Sequence, residues 1–291
     1  MENVMSITNK TRQHVTDTII AELKNGVRPW CKPFNGESMV MPLRGSTGTP
    51  YRGINIVLLW LAQKSNPYWL TFNQIQKLGG RVIKGTKGNK VVWSGYTQPK
   101  DESKDEYWSC KLYNVHNASD TTGLPDKFYP KTDGFINPDE PIPWVDASIL
   151  QVGADLNEGD IACYVPSQDK VFMPPWTDFR SALDYYSTII HEIVHWTGHA
   201  TRLDRLDIKN KKGYAFEELV AEMGAAFLMA HFNLEPTVRE DHAQYIGHWI
   251  EALGSDIKYV SEAASVAQNA VDYIAQRIEA AQQSPELEMV S

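Results

Sequence analysis

The feature that most restricts the fold of this chain is the pentapeptide HEIVH at residues 191–195, which lies within an apolar stretch. The residues before it carry leucine and isoleucine at the spacing of a buried helix. His191 and His195, four residues apart, would lie on one face of that helix and could bind one zinc ion. Glu192 would then stand beside an open coordination position as a general base for amide hydrolysis. The alternative is a helix that carries two histidines by chance.

A zinc site of this kind needs a third protein ligand, and two simple candidates fail. His199 lies eight residues from His191, which is about 12 Å on a continuous helix and too far for one ion. The longer pattern HExxHxxGxxH would place its last histidine at position 201, where the sequence has Thr201. The third ligand must therefore come from another part of the chain.

The segment FEELVAEMGAAFL at residues 216–228 is an apolar helix that nevertheless carries Glu217, Glu218 and Glu222. Glu218 and Glu222 are four residues apart and share a face. One zinc ligand and one carboxylate that orients a ligating histidine would use this spacing. A solvated acidic face is the alternative, because glutamates usually lie on the surface of helices.

Charge is distributed unevenly along the chain, although the net charge is only −8. Residues 1–98 contain 13 Lys or Arg and 4 Asp or Glu, residues 99–170 contain 6 and 14, and residues 171–291 contain 9 and 18. A basic region followed by an acidic one indicates two modules, the first facing an anionic partner. A stretch rich in Pro, Gly and Asp separates them. We therefore predict an α+β protein with domains at 1–125 and 147–291 and a linker at 126–146.

Periodicity predicts the elements of both modules. Thr71 is expected to cap a short helix with Phe72, Ile75 and Leu78 directed inward. The loop GTKGNK is expected to join the first two strands. The other expected helices lie at 15–23, 55–64, 178–195, 215–232, 239–253 and 255–283, and the expected strands at 81–84, 91–96, 107–115, 162–165 and 170–173.

The basic module is also rich in aromatic residues, and single-strand binders combine a positive groove with aromatic side chains on which bases stack. These aromatics are Trp30, Phe34, Tyr51, Trp60, Tyr68, Trp69, Phe72, Trp93 and Tyr96. The alternative is that most of them form the core, Trp60 and Phe72 especially. Two loops supply the candidate DNA contacts, which are Tyr51, Arg52, Asn55, Lys84, Lys87 and Lys90. The three lysines could equally serve only to keep a surface loop soluble.

Composition favours a cytoplasmic protein without a membrane partner. No apolar run approaches the ~20 residues that cross a bilayer, and the N-terminus lacks the layout of a secretory signal. The cysteines, Cys31, Cys110 and Cys163, are odd in number and widely spaced, which is typical of reduced thiols rather than of a disulfide framework.

The second half resembles the zincin-like peptidase domain of the ArdC family of antirestriction proteins. The resemblance rests on the strand pair from Ala162 to Pro174, on FRSALDYYSTIIHEIVHWTGHATRLDR, and on YAFEELVAEMGAAFL. It implies a glutamate-type zincin in which Glu218 is the third ligand and Glu222 holds the first histidine. It also implies a zinc cofactor, with exchange for other divalent ions, and a cleft wall formed by the strand before the motif helix. Tyr214 is a candidate oxyanion stabiliser.

The first half resembles the N-terminal single-stranded-DNA-binding domain of the same family. The matching segments are VTDTIIAELKNGVRPWCKPF, TGTPYRGINIVLL, YWLTFNQIQKLGGRVIKGTKG and YNVHNASDTTGLP. The sequence departs from the family pattern at Phe34, where a second tryptophan is frequent, and at His116-Asn117, where glutamine is common.

Both halves together imply a plasmid-type antirestriction protein that binds single-stranded DNA, with a host restriction protein or another protein as peptidase substrate. A DNA-binding shield with a structural zinc, or a replication-associated accessory protein, are the alternatives. The absence of a recognisable primase segment in this sequence counts against the last of these.

Overall fold

The computed structural model describes residues 2–31, 39–99, 105–131, 133–206, 211–237 and 245–283. Its contacts divide the chain into two units, Met1–Phe135 with Ile246–Glu262, and Ile136–Tyr245 with Ala263–Ser291. Both helices and sheets are present, which confirms the α+β class. No helix among these residues is long and apolar enough to span a membrane.

In chain order, the described residues form the helices α1 (Glu2–Lys24), α2 (Ile54–Trp60), α3 (Phe72–Lys77), α4 (Pro143–Gln151), α5 (Ala182–Thr197), α6 (Lys211–His231), α7 (Tyr245–Ser255) and α8 (Tyr259–Gln283). The strands are β1 (Leu43–Arg44), β2 (Tyr68–Leu70), β3 (Arg81–Val82), β4 (Asn89–Thr97), β5 (Tyr107–Asn117), β6 (Thr121–Thr122), β7 (Asp155–Glu158), β8 (Cys163–Val165) and β9 (Lys170–Met173). The expected helices and strands are present, most of them with shifted ends. The expected start of one helix, at residues 239–244, lies outside the described residues. The sequence did not reveal α4, β1, β2, β6 or β7.

The first unit is built around a sheet with the strand order β1-β2-β5-β4. Its longest element is the antiparallel β4–β5 hairpin, paired from Asn89↔Val115 to Thr97↔Tyr107. Side chains from two helices form hydrogen bonds with the outer edges of the hairpin, Asn55 of α2 at one edge and Thr8 of α1 at the other. The Asn55 side chain donates to the carbonyl of Val92 at 2.8 Å and accepts from its N–H at 2.7 Å. On the other edge, the N–H of Cys110 donates to Thr8 Oγ1 at 3.3 Å.

The sequence predicted that β3 would pair with the strand that follows the GTKGNK loop, but in the structure β3 has a different partner. Arg81 pairs with Thr122 and Val82 with Thr121, so β3 joins β6 in a separate two-stranded sheet. β6 follows the turn at residues 118–120, and this turn places it beside β3. The pairing depends on a contact across about 40 residues, and local periodicity carries no information about it.

The short helix α3 confirms its predicted cap but not its predicted burial. Thr71 Oγ1 accepts from the N–H of Gln74, and the Gln74 side chain accepts from the N–H of Thr71, which together form a capping box. Ile75 is buried, whereas Phe72 is 50% exposed and Leu78 is 38% exposed. The prediction that Phe72 and Leu78 point inward was therefore wrong. This helix of six residues places only one side chain, that of Ile75, in the core.

Residues 246–262 belong to the first unit, although the sequence grouped them with the second half. The Trp30 and Trp249 rings meet edge to face at 5.6 Å, and both side chains are fully buried. Thr16 also donates its hydroxyl to the carbonyl of Ile257. These residues lie far apart in sequence, and the boundaries 1–125, 126–146 and 147–291 remain a prediction.

The second unit contains a three-stranded sheet with the order β7-β9-β8 and the helix pair α5 and α6. β9 is central, parallel to β7 and antiparallel to β8. This arrangement leaves β8 at an edge of the sheet, and both β8 and β9 contact α5. The edge strand therefore lies next to the helix that carries the HEIVH motif.

Candidate functional site

α5 begins at a well-formed cap and carries its motif in a buried position. The Ser181 side chain accepts from the N–H of Asp184, which satisfies one of the free donors at the helix start. His191 and His195 lie one turn apart, as the spacing predicts. Their Nε2 atoms are 3.0 Å from each other. The two imidazoles therefore direct the same nitrogen towards one point.

α6 brings the third group of the site because it packs closely on α5. A Cβ at Gly224 would lie 2.9 Å from the Val194 side chain, so glycine is required for this approach. Glu218 places one oxygen 3.6 Å from Nε2 of His191 and the other 3.6 Å from Nε2 of His195. Among the described residues, His191, His195 and Glu218 form the group able to hold a metal ion.

The ligand atoms lie close enough to one another to share one ion. Two ligand atoms that each lie ~2.0–2.1 Å from a tetrahedral zinc are ~3.3 Å apart. The two histidine Nε2 atoms are 3.0 Å apart, each lies 3.6 Å from a different oxygen of Glu218, and one ligand atom from each of the three residues lies within 4.8 Å of the others. Charge supports the same conclusion, because Glu192, Glu217, Glu218 and Glu222 are all buried and buried carboxylates require cations. The residues present therefore fit a divalent metal.

A carboxylate stands behind each histidine. Oε1 of Glu222 lies 3.6 Å from Nδ1 of His191, the histidine that the family resemblance assigned to it. Oε1 of Glu217 lies 3.1 Å from Nδ1 of His195. Burial alone would lower the pKa of His195, but the hydrogen bond and charge of Glu217, with the charges of Glu192 and Glu218, raise it above its ordinary value. Such partners fix the ring orientation and raise ligand basicity.

Glu217 is in turn held by Arg205, a residue that sequence reasoning missed. The Arg205 guanidinium donates from Nη2 to Oε1 of Glu217 at 2.9 Å and from Nε to Oε2 at 3.2 Å. It also donates to the Thr197 hydroxyl at 2.7 Å and to the carbonyl of Val194. The loop after α5 is thereby tied to the second histidine. The available signal was an arginine in the segment HATRLDR, directly after the motif helix.

The proposed general base is held by the edge strand. The backbone N–H of Tyr164 donates to Oε2 of Glu192 at 2.8 Å. Burial, with a smaller contribution from the Glu192 charge, raises the pKa of the neighbouring Cys163 thiol. The carboxylate of Glu192 is therefore oriented by main chain, which a side-chain substitution on β8 would not remove.

A second ion pair fastens the turn that follows β8. The Arg202 guanidinium donates to both carboxylate oxygens of Asp169, from Nη1 to Oδ2 at 2.9 Å and from Nη2 to Oδ1. The same guanidinium lies over the Trp196 ring at 3.9 Å, and the Tyr164 hydroxyl donates to Asp169 Oδ1 at 2.9 Å. The β8–β9 turn is thus joined to the end of α5.

Neither Tyr214, the candidate oxyanion stabiliser, nor His199, which the helical spacing excluded as a ligand, belongs to the metal-binding group found among the described residues. Tyr214 is on α6, one turn before Glu218, and is 42% exposed. His199 lies just beyond the end of α5, where its Nδ1 is 2.8 Å from the Thr201 hydroxyl. It is not part of the metal-binding group.

The candidate DNA contacts differ in their availability. Tyr51 is buried, with Arg44 stacked over its ring at 5.1 Å, and the amide of Asn55 is engaged by Val92 on both atoms. The remaining four are exposed, namely Arg52, Lys84, Lys87 and Lys90.

The aromatics of the basic module also separate into two groups. Trp30, Trp60 and Trp69 are buried, as the packing alternative stated. Phe72, Trp93 and Tyr96 are exposed, and Phe34 lies outside the described residues. Two further exposed aromatics, Trp108 and Tyr113, were missed in the sequence. They lie on β5, where alternation alone did not show which face is open.

The fold and the site define a two-domain protein with a zincin-like metallopeptidase domain. Residues 143–266 match the family described as zincin-like metallopeptidase. Residues 9–123 match the N-terminal domain of the anti-restriction factor ArdC. The two matches follow each other in the order that the sequence resemblance indicated.

Solved structures extend this result to 92% of the chain. The metal-free crystal structure of the antirestriction ArdC protein from plasmid R388 has a TM-score of 0.81 and 38% identity, and the match covers 92% of this chain and 98% of that chain. Its Mn(II)-bound structure has a TM-score of 0.78 and 40% identity, with 92% and 97% covered. The chain therefore belongs to the ArdC family of antirestriction proteins.

One curated relative is similar in length to this chain, and two others are much longer. The uncharacterized protein y4eC of Sinorhizobium fredii (strain NBRC 101917 / NGR234) is 33% identical, with 90% of each chain covered. Two DNA primase TraC proteins of Escherichia coli are 32% and 30% identical over 89% and 90% of this chain. The chain spans only 19% and 27% of their lengths.

Proposed function

We propose that this protein protects incoming DNA from host restriction by binding single-stranded DNA with its first unit and cleaving a protein with a zinc peptidase site in its second. The observation that carries the peptidase half is the convergence of His191, His195 and Glu218 beside the oriented carboxylate of Glu192. The DNA half is supported by the ArdC N-terminal match and by the positive charge of residues 1–98.

In this proposal His191, His195 and Glu218 hold the zinc ion. A zinc ion at such a site polarises a carbonyl group and lowers the pKa of water. Glu192 takes the proton from the attacking water and delivers it to the leaving amine, and the N–H of Tyr164 keeps its carboxylate in place. Tyr214, exposed one turn before Glu218, would stabilise the negative charge that develops on the substrate oxygen.

The DNA half relies on exposed cations. Arg52, Lys84, Lys87 and Lys90 would contact phosphates, which makes binding dependent on salt and independent of sequence. Tyr51 and Asn55 would act indirectly, by supporting the residues that contact DNA. The Tyr51 side chain is buried, and the Asn55 amide is hydrogen-bonded to Val92 of β4. A host restriction protein or another protein is the expected substrate.

Glu192→Gln is the decisive variant. It keeps the shape of the side chain and removes its ability to accept a proton, so hydrolysis of an unfolded protein substrate should fall by ~10²–10⁴-fold. Zinc content, measured by elemental analysis, should stay near that of wild type. His199→Ala is the matched control, since this histidine lies outside the ligand group, and it should keep both zinc and hydrolysis.

An antirestriction assay of the same variants at matched expression separates the candidate functions. If protection disappears in Glu192→Gln, proteolysis is part of the function. If protection persists, the protein is a DNA-binding shield with a structural metal, and the peptidase half of the proposal is wrong.

The similarity to part of the TraC primases favours a replication-associated role as a further candidate. That role would show as a priming defect in a plasmid that lacks the protein.

A further inference from the structure

The β4–β5 hairpin exposes aromatic residues on both faces. Residues that pair across antiparallel strands point to the same face, and successive residues alternate. The pairs Trp93↔Lys111 and Val91↔Tyr113 therefore belong to one face, and the pair Tyr96↔Trp108 belongs to the other. Trp93 is 41% exposed and Tyr113 is 47% exposed. We name the surface formed by Trp93, Lys111 and Tyr113 the stacking face.

Gly95 determines how Trp93 lies on this face. A Cβ at Gly95 would stand 3.0–3.7 Å from three carbons of the Trp93 indole. The absence of a side chain at Gly95 therefore leaves room for the six-membered ring of the indole beside it. Trp93 as a whole keeps 41% of its surface exposed. An exposed ring on a strand is a surface on which a base can stack.

The charge of the hairpin favours the binding of a polyanion. The strands β4 and β5 contain two lysines and no Asp or Glu. Lys111 lies on the stacking face, whereas Lys90, which pairs with Asn114, lies on the opposite face. Lys111 is directly opposite Trp93, so its ammonium group can meet a phosphate next to a base stacked on the indole. Tyr113 is the diagonal neighbour of Trp93, and diagonal neighbours lie ~7–8 Å apart. The two rings can therefore receive successive bases of one strand.

Acidic residues follow at the far end of the hairpin, where Asp105 and Glu106 precede β5. The last pair of the ladder is Thr97↔Tyr107, four residues from Trp93 and therefore ~13 Å along the strand. This distance exceeds the ~8 Å Debye length at physiological ionic strength. Their repulsion is weak at the stacking face and strong at the tip, so a bound strand would extend away from the tip.

The opposite face is less suited to bases. Arg12 lies over the Trp108 ring with its Cζ 5.1 Å from the centroid, so this ring already has a cation as partner. Cys110, on the same face, is buried, and its N–H is bonded to Thr8 of α1. Tyr96, which is 71% exposed, pairs with Trp108 on this face.

From these observations we propose that the Trp93–Lys111–Tyr113 face of the β4–β5 hairpin is the base-stacking site for single-stranded DNA. The inference rests on the proposed DNA binding of the first unit and deepens it by naming the residues that contact the bases. None of the candidate contacts on the two loops supplies an exposed ring, since Tyr51 is buried. The stacking face therefore supplies the exposed rings that the loop contacts lack, with Lys111 directly opposite Trp93.

The test is the binding of a fluorescent oligothymidylate to the full chain by anisotropy. Trp93→Ala and Tyr113→Ala should each weaken the affinity by about 5- to 150-fold, the range of one lost base stack, and the dependence on salt should be unchanged. Trp93→Phe should recover part of the loss. Tyr96→Ala is the matched control, because it removes a more exposed aromatic from the other face, and its affinity should equal that of wild type. Thermal unfolding of each variant excludes a loss of fold.

The outcomes distinguish the inference from the function on which it rests. If wild type binds the oligonucleotide and Trp93→Ala and Tyr113→Ala bind equally well, the stacking face is wrong and DNA binding stands. A loss confined to Tyr96→Ala would move the site to the opposite face and would also overturn the inference. If wild type itself shows no salt-sensitive binding, the DNA half of the proposed function falls, and the inference falls with it.

Discussion

The metal centre and the stacking face place charge in opposite surroundings. Glu217, Glu218 and Glu222 are 3–5% exposed, and each faces a histidine nitrogen at 3.1–3.6 Å. Near the hairpin, Lys84, Lys87 and Lys90 are exposed and Lys111 is half-buried. Salt screens buried charges much less than exposed ones, and exposed lysines bind phosphates through the release of counterions. Substitutions of charged residues should therefore have large effects that are insensitive to salt in the second unit, and small effects that are sensitive to salt in the first.

The largest effect is expected for Glu218→Ala. The change removes one of three protein ligands, so zinc affinity should fall by more than the ~100-fold that is the upper range for residues behind the ligands. Competition with a chelator measures it. Glu279→Ala, an exposed glutamate on α8, is the control and should bind zinc like wild type. Equal affinity of Glu218→Ala and the control would show that the ligand set is wrong.

The carboxylates behind the histidines should give the next largest effects. Glu217→Ala and Glu222→Ala should each weaken zinc binding by ~10–100-fold. The larger loss is expected at Glu217, because its oxygen is 3.1 Å from His195, against 3.6 Å for Glu222 and His191. Its removal also leaves the guanidinium of Arg205, whose side chain is only 11% exposed, without its carboxylate. The reverse order in a chelator titration would contradict the role of Arg205.

Smaller changes are expected from Lys84→Ala, Lys87→Ala and Lys90→Ala. A lysine that neutralises a phosphate contributes ~0.7 to the slope of log affinity against log salt for a single strand. Each substitution should reduce the slope by about this amount, as measured by titrations at several salt concentrations. Lys131→Ala, another exposed lysine, is the control. Unchanged slopes in all three variants would show that these lysines only keep the loop soluble.

The smallest effect concerns Asp169, whose pKa lies below its ordinary value of 3.8, chiefly because of the hydrogen bond from Arg202. A lowered carboxyl pKa stabilises the folded state above pH 3.8, and this contribution is lost as pH falls through the lowered value. Asp169→Asn should therefore cost roughly 1 kcal/mol or less at neutral pH. Asparagine tolerates the positive φ of 54° at this position.

Chemical unfolding of wild type and Asp169→Asn at pH 7 and near pH 3 measures this contribution. The stability difference between the two proteins should shrink at the lower pH. A difference that stays constant with pH would mean that the ion pair with Arg202 adds no stability, and that the variant acts through packing alone.

The metal ligands were predictable because helical spacing is local. His191 and His195 share a face through a four-residue interval, and Glu218 and Glu222 repeat that interval on α6. The assignment of Glu218 as third ligand still needed the family resemblance, since the residues alone also fit a solvated acidic face. Glu217 and Arg205 could not be paired from sequence, because their contact depends on how the loop after α5 returns to α6.

The DNA-binding surface was less predictable for a different reason. Charge along the sequence indicated which part of the chain is basic, and composition indicated that it is rich in aromatics. Composition does not distinguish an aromatic in the core from one on the surface. Trp30 and Trp93 were equal candidates for base stacking in the sequence. In the structure Trp30 is buried against Trp249, whereas Trp93 is exposed.

Composition and local periodicity were enough to predict the α+β class, the division into a basic and an acidic part, the motif helix with its two histidines, and the glutamates one turn apart on α6. Other features became visible only in the folded chain. They are the pairing of β3 with β6, the contact of Arg205 with Glu217, the packing of residues 246–262 with α1 in the first unit, and the exposure of each hairpin aromatic. These features depend on contacts between distant segments, whose free energy comes from burial and hydrogen bonding that no local pattern encodes.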